Sequence, residues 1–207
     1  MTVQHLHDLF ANRTPTPMDT TVQYAVLVPL VEQAGEFHLL YEVRAAGMRR
    51  QPGEVCFPGG RMEPGESAQA CALRETFEEL SIPESAIRVL GPLDFLCHRS
   101  GFVMYPVLAV VDAHAAEQMV PNPAEVDKTF LIPLSTLRTM PSEEYRYEMI
   151  PNPGADFPYE RIGIPRTYPW QPGVETGPIY PWQDKSVWGL TGRITRNLLR
   201  LLDEGGL

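Results

Sequence analysis

The sequence contains 207 residues, with a formal net charge of −9 and a hydrophobic fraction of 43%. This length suits one domain of ordinary size, and the hydrophobic fraction is enough to build a sizeable core. The acidic charge excludes the broad basic face that a general nucleic-acid binder needs, so we expect no nucleic-acid partner.

Hydrophobic periodicity predicts a chain that mixes strands with a few helices. In the first half, the predicted elements are a helix over 3–10, strands over 22–31 and 37–43, a strand fragment over 55–57 and a helix over 67–80. In the second half they are strands over 88–96, 104–111, 129–132 and 144–150, a helical turn from Ser135 and a final helix over 185–202. Strands on both sides of one helix, followed by a terminal helix, predict an α/β or α+β sandwich.

Proline is the unusual residue of the composition, with 21 copies. Many of them lie between Pro151 and Pro181, where tyrosines and tryptophans are interspersed. Because disordered linkers are poor in such aromatic residues, we predict an ordered, irregular loop over about 151–183. The sequence leaves open whether this loop is a lid over a site or a dimer contact.

The helix predicted over 67–80 carries three glutamates at close spacing. On a helical wheel, Leu73, Phe77 and Leu80 are predicted to face the core. The opposite arc then holds the three acidic residues, which are Glu75, Glu78 and Glu79. Neighbouring carboxylates repel one another and suit a hard divalent cation such as Mg²⁺ or Mn²⁺. The alternative is a solvated acidic helix face without a ligand.

The residues around this helix favour the metal-binding alternative. Gly59 and Gly60 precede it and let the backbone turn tightly, while Arg74 is placed to reach back to Glu66. The pattern of Gly60, five residues, Glu66, seven residues and then the run from Arg74 to Ile82 resembles the Nudix box. Two positions depart from the family pattern: Thr76 replaces an aliphatic residue and Ser81 replaces a glycine.

The resemblance implies a fold, an activity and a set of site residues. It implies the Nudix fold over 1–207, an α+β protein built as an α/β/α sandwich whose mixed central sheet is flanked by the glutamate helix and a C-terminal helix. It implies hydrolysis of a diphosphate bond with Mg²⁺ or Mn²⁺ as the cofactor. The implied metal ligands are Glu75, Glu78, Glu79 and the carbonyl of Gly60, supported by Glu66 and Arg74. A box glutamate, Glu78 or Glu79, or else the loop residue Glu125, is the candidate general base.

The segment before the box resembles the coenzyme A diphosphatase subgroup of Nudix hydrolases. Arg44, Ala45, Arg49, Gly53 and Phe57 are in register with that subgroup's signature, whereas the residues at positions 41 and 42 depart from it. Arginine also suits bidentate recognition of phosphate, and coenzyme A carries a 3′-phosphate besides its diphosphate. The implied substrate-binding residues are Arg44, Arg49, Phe57 and Gly59.

These features leave three functions to be compared. The first is hydrolysis of coenzyme A or acyl-coenzyme A to 3′,5′-ADP and (acyl-)4′-phosphopantetheine. The second keeps the fold and metal but acts on another nucleoside diphosphate derivative, such as ADP-ribose, NADH or a dinucleotide. The third is a Nudix-like ligand sensor without catalysis, which intact box glutamates disfavour.

The cysteines and the chain termini bear on the compartment. The cysteines, Cys56, Cys71 and Cys97, form no Cys-x-x-Cys pair, so we expect neither a disulfide framework nor a zinc site. The first 21 residues lack a secretory pattern, and no apolar run reaches the roughly 20 residues of a membrane span. We therefore expect a cytoplasmic protein without a membrane partner, either a monomer or a homodimer.

Overall fold

The structure is a computed structural model that describes residues 1–13, 16–18 and 22–206. Strands dominate the fold, and helices cover the main sheet on both sides. The first elements are α1 (Val3–Phe10), β1 (Val22–Gln33), β2 (Glu36–Arg44), β3 (Val55–Cys56), β4 (Gly59–Arg61), α2 (Ala68–Leu80), β5 (Ile87–Pro92) and β6 (Leu96–His98). They are followed by β7 (Phe102–Val111), α3 (Ala113–Glu117), β8 (Val126–Pro133), α4 (Leu134–Thr139), β9 (Glu143–Met149), α5 (Tyr159–Ile162), β10 (Gly173–Trp182), β11 (Lys185–Val187) and α6 (Gly189–Glu204).

The main sheet is mixed and is built around β1. Its strands lie in the order β3-β2-β1-β7-β5, with β4 also paired to β1, β6 to β7 and β8 to β2. The pairing of β1 with β7 is parallel, whereas β1 is antiparallel to β2 and β4. The seven residues from Ala25 to Val31 are all buried, as expected for a strand covered on both faces.

Alternate residues of β1 enter two separate cores. Val26, Val28 and Leu30 belong to a cluster that includes Ile194 and Leu198 of α6. The odd-numbered residues of the strand face a cluster that contains buried residues of α2, which are Cys71, Ala72, Leu73 and Leu80. This two-residue alternation places α2 and α6 on opposite faces of the sheet. It confirms the predicted α+β sandwich with a mixed sheet flanked by these two helices.

Two buried threonines attach α6 to the strands that lead into the site. The Thr191 hydroxyl donates a hydrogen bond to the carbonyl of Val55, at 2.9 Å. The Thr195 hydroxyl lies 2.9 Å from the phenol oxygen of Tyr41, which is fully buried in β2. The predicted helix over 185–202 begins too early, because Lys185–Val187 pairs with β10 as a hairpin and the helix starts only at Gly189.

The predicted loop over 151–183 is corrected at its C-terminal end. Residues 173–182 form β10, which lies between β9 and β11 in a second sheet of three strands. The remaining part contains the short helix α5 and an aromatic group in which Trp170 packs edge-on against Phe157 and Tyr168. The strand β10 was not predicted from the sequence because it contains prolines, which normally disfavour strand interiors.

The strand predicted over 88–96 is divided into β5 and β6. The pairing of β5 with β7 contains a register shift between Val89 and Gly91 and ends at Pro92, after which β6 pairs with β7 again. The short elements β4 and α3 were not predicted, since they span only 3 and 5 residues. None of the helices in the described part of the chain is long and apolar enough to cross a membrane.

Candidate active site

Both ends of the glutamate helix α2 are fixed by side chains. The hydroxyl of Ser67 accepts a hydrogen bond from the amide of Ala70, at 3.1 Å, which caps the first turn as predicted. At the other end, Ser81 is left-handed, with φ 57° and ψ 25°. The Ser81 hydroxyl donates to the carbonyl of Val120, at 3.1 Å, so a serine serves at a position where glycine is usual.

The face that α2 buries differs from the prediction. Phe77 is 56% exposed, so the prediction that it faces the core was wrong, whereas Leu73 and Leu80 are buried. Glu79 was predicted on the opposite arc but is only 4% exposed. The buried stripe runs through Thr76, whose hydroxyl donates to the carbonyl of Ala72 at 2.7 Å. A small side chain with its polar atom satisfied lets the helix approach the sheet closely, and this turns Phe77 outward.

Glu79 is anchored to the glycine turn that precedes the helix. The amide of Gly59 donates to Oε2 of Glu79, at 2.8 Å. Gly59 has φ 153°, and a side chain there would overlap the backbone of Ala25 and Val26. Burial raises the pKa of Glu79 to about 9, and the nearby carboxylates, Glu42 first among them, raise it as well. The site thus concentrates carboxyl groups where little solvent reaches, which disfavours their ionised forms.

Arg74 reaches back to Glu66, as the spacing predicted. Its Nε and Nη2 donate to the two oxygens of Glu66, at 2.9 and 3.1 Å, in a bidentate pair. The guanidinium holds the pKa of Glu66 down at about 2. Nη1 of Arg74 also donates to Glu75, at 2.8 Å, and lies 3.4 Å from Glu78. One arginine therefore orients Glu66 and contacts two of the predicted metal ligands.

Gly60 lies directly against the carboxylate of Glu75. A Cβ atom on Gly60 would overlap that carboxylate, so this position must be glycine for the contact to exist. The residue pairs with Ala25 of β1, and its carbonyl receives a long contact of 3.6 Å from the thiol of Cys71. Burial raises the pKa of Glu75, although Arg74 opposes the effect.

Glu42 is a buried acid that the sequence analysis did not assign to the site. It lies in β2, is 1% exposed, and accepts a hydrogen bond from the thiol of Cys56 at 3.2 Å. Burial raises its pKa to about 7, and the Cys56 hydrogen bond and the charge of Arg44 partly oppose this. The run of apolar residues around it indicated only a strand, and its proximity to α2 depends on packing between distant parts of the chain.

The loop that carries Glu125 is tied to both α2 and β2. The amide of Asn122 donates to the carbonyl of Glu79, at 2.8 Å, and the amide of Ala45 donates to the carbonyl of Glu125, also at 2.8 Å. Glu125 is half-buried, and its charge raises the pKa of Glu42, Glu75 and Glu79. The structure therefore brings this candidate base close to the carboxylates.

The predicted substrate-binding residues occupy different environments. Arg44 is half-buried at the end of β2, where its Nε donates to the carbonyl of Arg50 at 3.4 Å, and Arg49 is exposed beyond it. Phe57 is 3% exposed and stacks on Tyr41 with ring centroids 4.9 Å apart, so the structure places it in the core beside the site and its contact with substrate stays a prediction. The amide of Gly59 is bound to Glu79, which makes Gly59 an anchor for that side chain.

The donor set fits a hard divalent cation, although the side chains do not converge on one point. Among the described residues, no three His, Cys, Asp or Glu side chains form a group arranged to hold an ion. Arg74 accounts for this, because it draws Glu75 and Glu78 to its own guanidinium. The acids of α2 and Glu42 supply carboxylate oxygens, and the second oxygen of Glu42 is buried without a partner among the described residues. Such oxygens are the ligands that Mg²⁺ and Mn²⁺ prefer.

Comparison with known proteins identifies relatives over most of the chain. The NUDIX domain model matches residues 21–152. Nudix hydrolase 3 of Caenorhabditis elegans is 29% identical, over 97% of this chain and 83% of that protein. The mitochondrial coenzyme A diphosphatase NUDT8 of Mus musculus is 32% identical, over 98% of this chain and 88% of that protein. The crystal structure of a MutT/nudix family protein from Enterococcus faecalis shares the fold, with a TM-score of 0.53 at 12% identity over 98% of this chain and 70% of that one.

Proposed function

Because this chain belongs to the NUDIX family of hydrolases, we propose that it cleaves the diphosphate bond of coenzyme A or an acyl-coenzyme A. The products are 3′,5′-ADP and (acyl-)4′-phosphopantetheine. The similarity to a coenzyme A diphosphatase over 98% of the chain supports this substrate. The observation that carries the proposal is the position of Arg44, whose positive charge lies close enough to Glu42 and Cys56 to oppose the rise that burial causes in the pKa of both.

A cation beside a group of carboxylates suits the recognition of a diphosphate. Arg44 is half-buried, and its guanidinium can contact two phosphate oxygens at once. Arg49 is exposed on the same segment, where it can meet a further phosphate of a longer substrate. We propose that Arg49 binds the 3′-phosphate of coenzyme A. A plain dinucleotide lacks that group, so this contact would distinguish the two substrates.

Hydrolases of this family generally use divalent metal ions, and the residues of α2 fit that requirement. Glu75, Glu78, Glu79 and the carbonyl of Gly60 would hold Mg²⁺ or Mn²⁺. When bound, such an ion supplies charge neutralisation at the diphosphate and lowers the pKa of an attacking water. Gly59 positions Glu79 through its amide, and Glu66 positions Arg74 through the bidentate pair.

Glu125 is the general base that the geometry favours. Its loop is tied to α2 and to the start of the segment that carries the arginines, which supports a position of the carboxylate near the metal ligands. We expect Glu125→Gln to lower kcat by about 10²- to 10⁴-fold and to change KM little. If kcat is unaffected, a glutamate of α2 accepts the proton.

The cysteine thiols support a reducing compartment, and we propose the cytoplasm. The thiol of Cys56 donates to Glu42, and the thiol of Cys71 contacts the carbonyl of Gly60. Both contacts require the reduced form. Oxidation of either cysteine would therefore alter the surroundings of the carboxylates.

A substrate panel with matched arginine variants tests the proposed substrate. The panel contains coenzyme A, dephospho-coenzyme A, ADP-ribose, NADH and a dinucleoside polyphosphate, each measured as kcat/KM with Mg²⁺ and with Mn²⁺. We expect coenzyme A or an acyl derivative to be preferred and Arg49→Ala to raise its KM by about 10-fold or more. Arg88→Ala removes an exposed arginine from β5 and serves as the control. A strong preference for dephospho-coenzyme A or ADP-ribose would contradict the proposal.

A further inference from the structure

Glu42 is fixed in the middle of the main sheet, next to the candidate active site. Its strand β2 has partners on both sides, and Glu42 itself is paired with Cys56 of β3 and Thr129 of β8. The side chain is 1% exposed, so it cannot turn to bulk solvent. Its position is therefore set by the sheet and not by local flexibility.

One oxygen of this carboxylate is satisfied and the other is not. Oε1 accepts the hydrogen bond from the thiol of Cys56, at 3.2 Å. Oε2 is buried and has no hydrogen-bond partner among the described residues. An unpaired buried carboxylate oxygen is costly, and buried charges are normally paired or bound to metal.

The groups around Glu42 are mostly acidic and include the α2 glutamates. Glu42 is the charged neighbour with the largest effect on Glu79, and Glu75 and Glu125 act on Glu42 in the same sense. Arg44 is the compensating cation that acts on it most strongly. A divalent cation between Glu42 and Glu79 would bind the unpaired oxygen and would also reduce the repulsion between the two carboxylates.

We propose that Glu42 supplies an additional carboxylate ligand, through Oε2, to the divalent cation of the α2 glutamates. This role rests on the metal dependence proposed above, but it does not depend on which diphosphate is the substrate. It adds a strand residue to a set of ligands that otherwise comes from one helix and the adjacent glycine turn. The cation is thereby attached to the sheet as well as to α2.

Direct measurement of Mn²⁺ binding without substrate tests this ligand role. The free Mn²⁺ signal in electron paramagnetic resonance gives Kd for the full chain and for Glu42→Gln, which keeps the size of the side chain and removes its charge. We expect Kd to rise by about 10-fold or more, since even partners that only orient ligands contribute that much. Glu148→Gln, at an exposed position in β9, is the matched control and should bind as the unmodified chain does.

Thermal unfolding supplies a second readout that separates a lost ligand from a damaged fold. With chelator present, Glu42→Gln should melt at or above the temperature of the unmodified chain, because a buried charge has been removed. The increase in Tm on adding Mn²⁺ should then be smaller than for the unmodified chain. If the glutamine variant does not fold, Glu42→Thr replaces it, since threonine suits a strand and its hydroxyl can accept from Cys56.

The outcomes distinguish this proposal from the proposed substrate. Weakened Mn²⁺ binding in a folded Glu42 variant supports the ligand role, even if coenzyme A is not the substrate. Unchanged Kd in a folded variant overturns the ligand role and leaves the proposed hydrolysis intact. If the unmodified chain itself binds no Mn²⁺, both the ligand role and the proposed metal dependence are wrong.

Discussion

Substitution of Glu79 by glutamine separates the catalytic role of this residue from its effect on stability. Glu79 is 4% exposed and accepts a hydrogen bond from the amide of Gly59. A glutamine can accept that bond through its amide oxygen, so the contact survives the substitution. What is lost is the charge, which is needed to hold a cation and is unfavourable in the fold itself.

The stability effect can be estimated from the pKa of Glu79. Burial and the nearby carboxylates raise this pKa from 4.5 to about 9. Since one pKa unit corresponds to about 1.4 kcal/mol, keeping the side chain neutral at pH 7 costs the folded state up to about 3 kcal/mol. Glu42 shares in the same repulsion, so we expect Glu79→Gln to add about 1–2 kcal/mol to the free energy of unfolding. For a chain of this length, that raises Tm by roughly 2–8 °C.

Two assays on the same preparations test this reasoning. Calorimetry in chelator at pH 7 should show the increase in Tm, and turnover of coenzyme A with Mg²⁺ should fall by about 100-fold or more. Glu148→Gln provides the control for removal of an exposed charge and should change neither quantity. Near-normal turnover in Glu79→Gln would refute the role in metal binding. A large decrease in Tm would show instead that the charge stabilises the fold.

Further predictions concern the residues that position and cap α2, and the dependence of stability on pH. Arg74→Lys keeps the charge but cannot form the bidentate pair with Glu66, so we expect kcat to fall by about 10-fold in steady-state assays, and unchanged kcat would contradict a positioning role. Ser81→Gly should raise the free energy of unfolding by about 0.5 kcal/mol in urea titrations, whereas Ser81→Val should lower it by about 1 kcal/mol or more, because Ser81 is left-handed. With chelator present, Glu79 and Glu42 favour the folded state only in their protonated forms, since both pKa values are raised in the folded state. This stabilisation is fully present below about pH 4.5 and is lost as the pH rises to about 9. Urea titrations of a Glu42→Gln, Glu79→Gln double variant should therefore show a flatter dependence between about pH 5 and 9, and an unchanged slope would contradict the assigned cause.

Features that depend on short-range spacing were predictable from the sequence. The cap by Ser67 and the pair between Arg74 and Glu66 follow from helical geometry, and both are present in the structure. The sequence left the geometry of the turn at Ser81 open, and the structure shows that Ser81 takes the left-handed conformation usual for the glycine it replaces. The two helix layers were also predictable, because alternate residues of β1 must be buried on opposite faces of the sheet.

Features that depend on packing between distant segments were not predictable in the same way. Glu42 and Glu79 are 37 positions apart in the sequence, and they interact only because α2 packs on β1, whose neighbour in the sheet is β2. The exposure of Phe77 has the same origin, since hydrophobicity alone assigned it to the core and the small side chain of Thr76 displaced it. The strand β10 was missed because it contains prolines at positions 178 and 181.

Product analysis of coenzyme A incubated with the purified chain and Mg²⁺ tests the central claim most directly. We predict equal amounts of 3′,5′-ADP and 4′-phosphopantetheine by mass spectrometry, with no cleavage when a chelator replaces the metal. Intact coenzyme A under conditions where ADP-ribose or dephospho-coenzyme A is cleaved would contradict the claim.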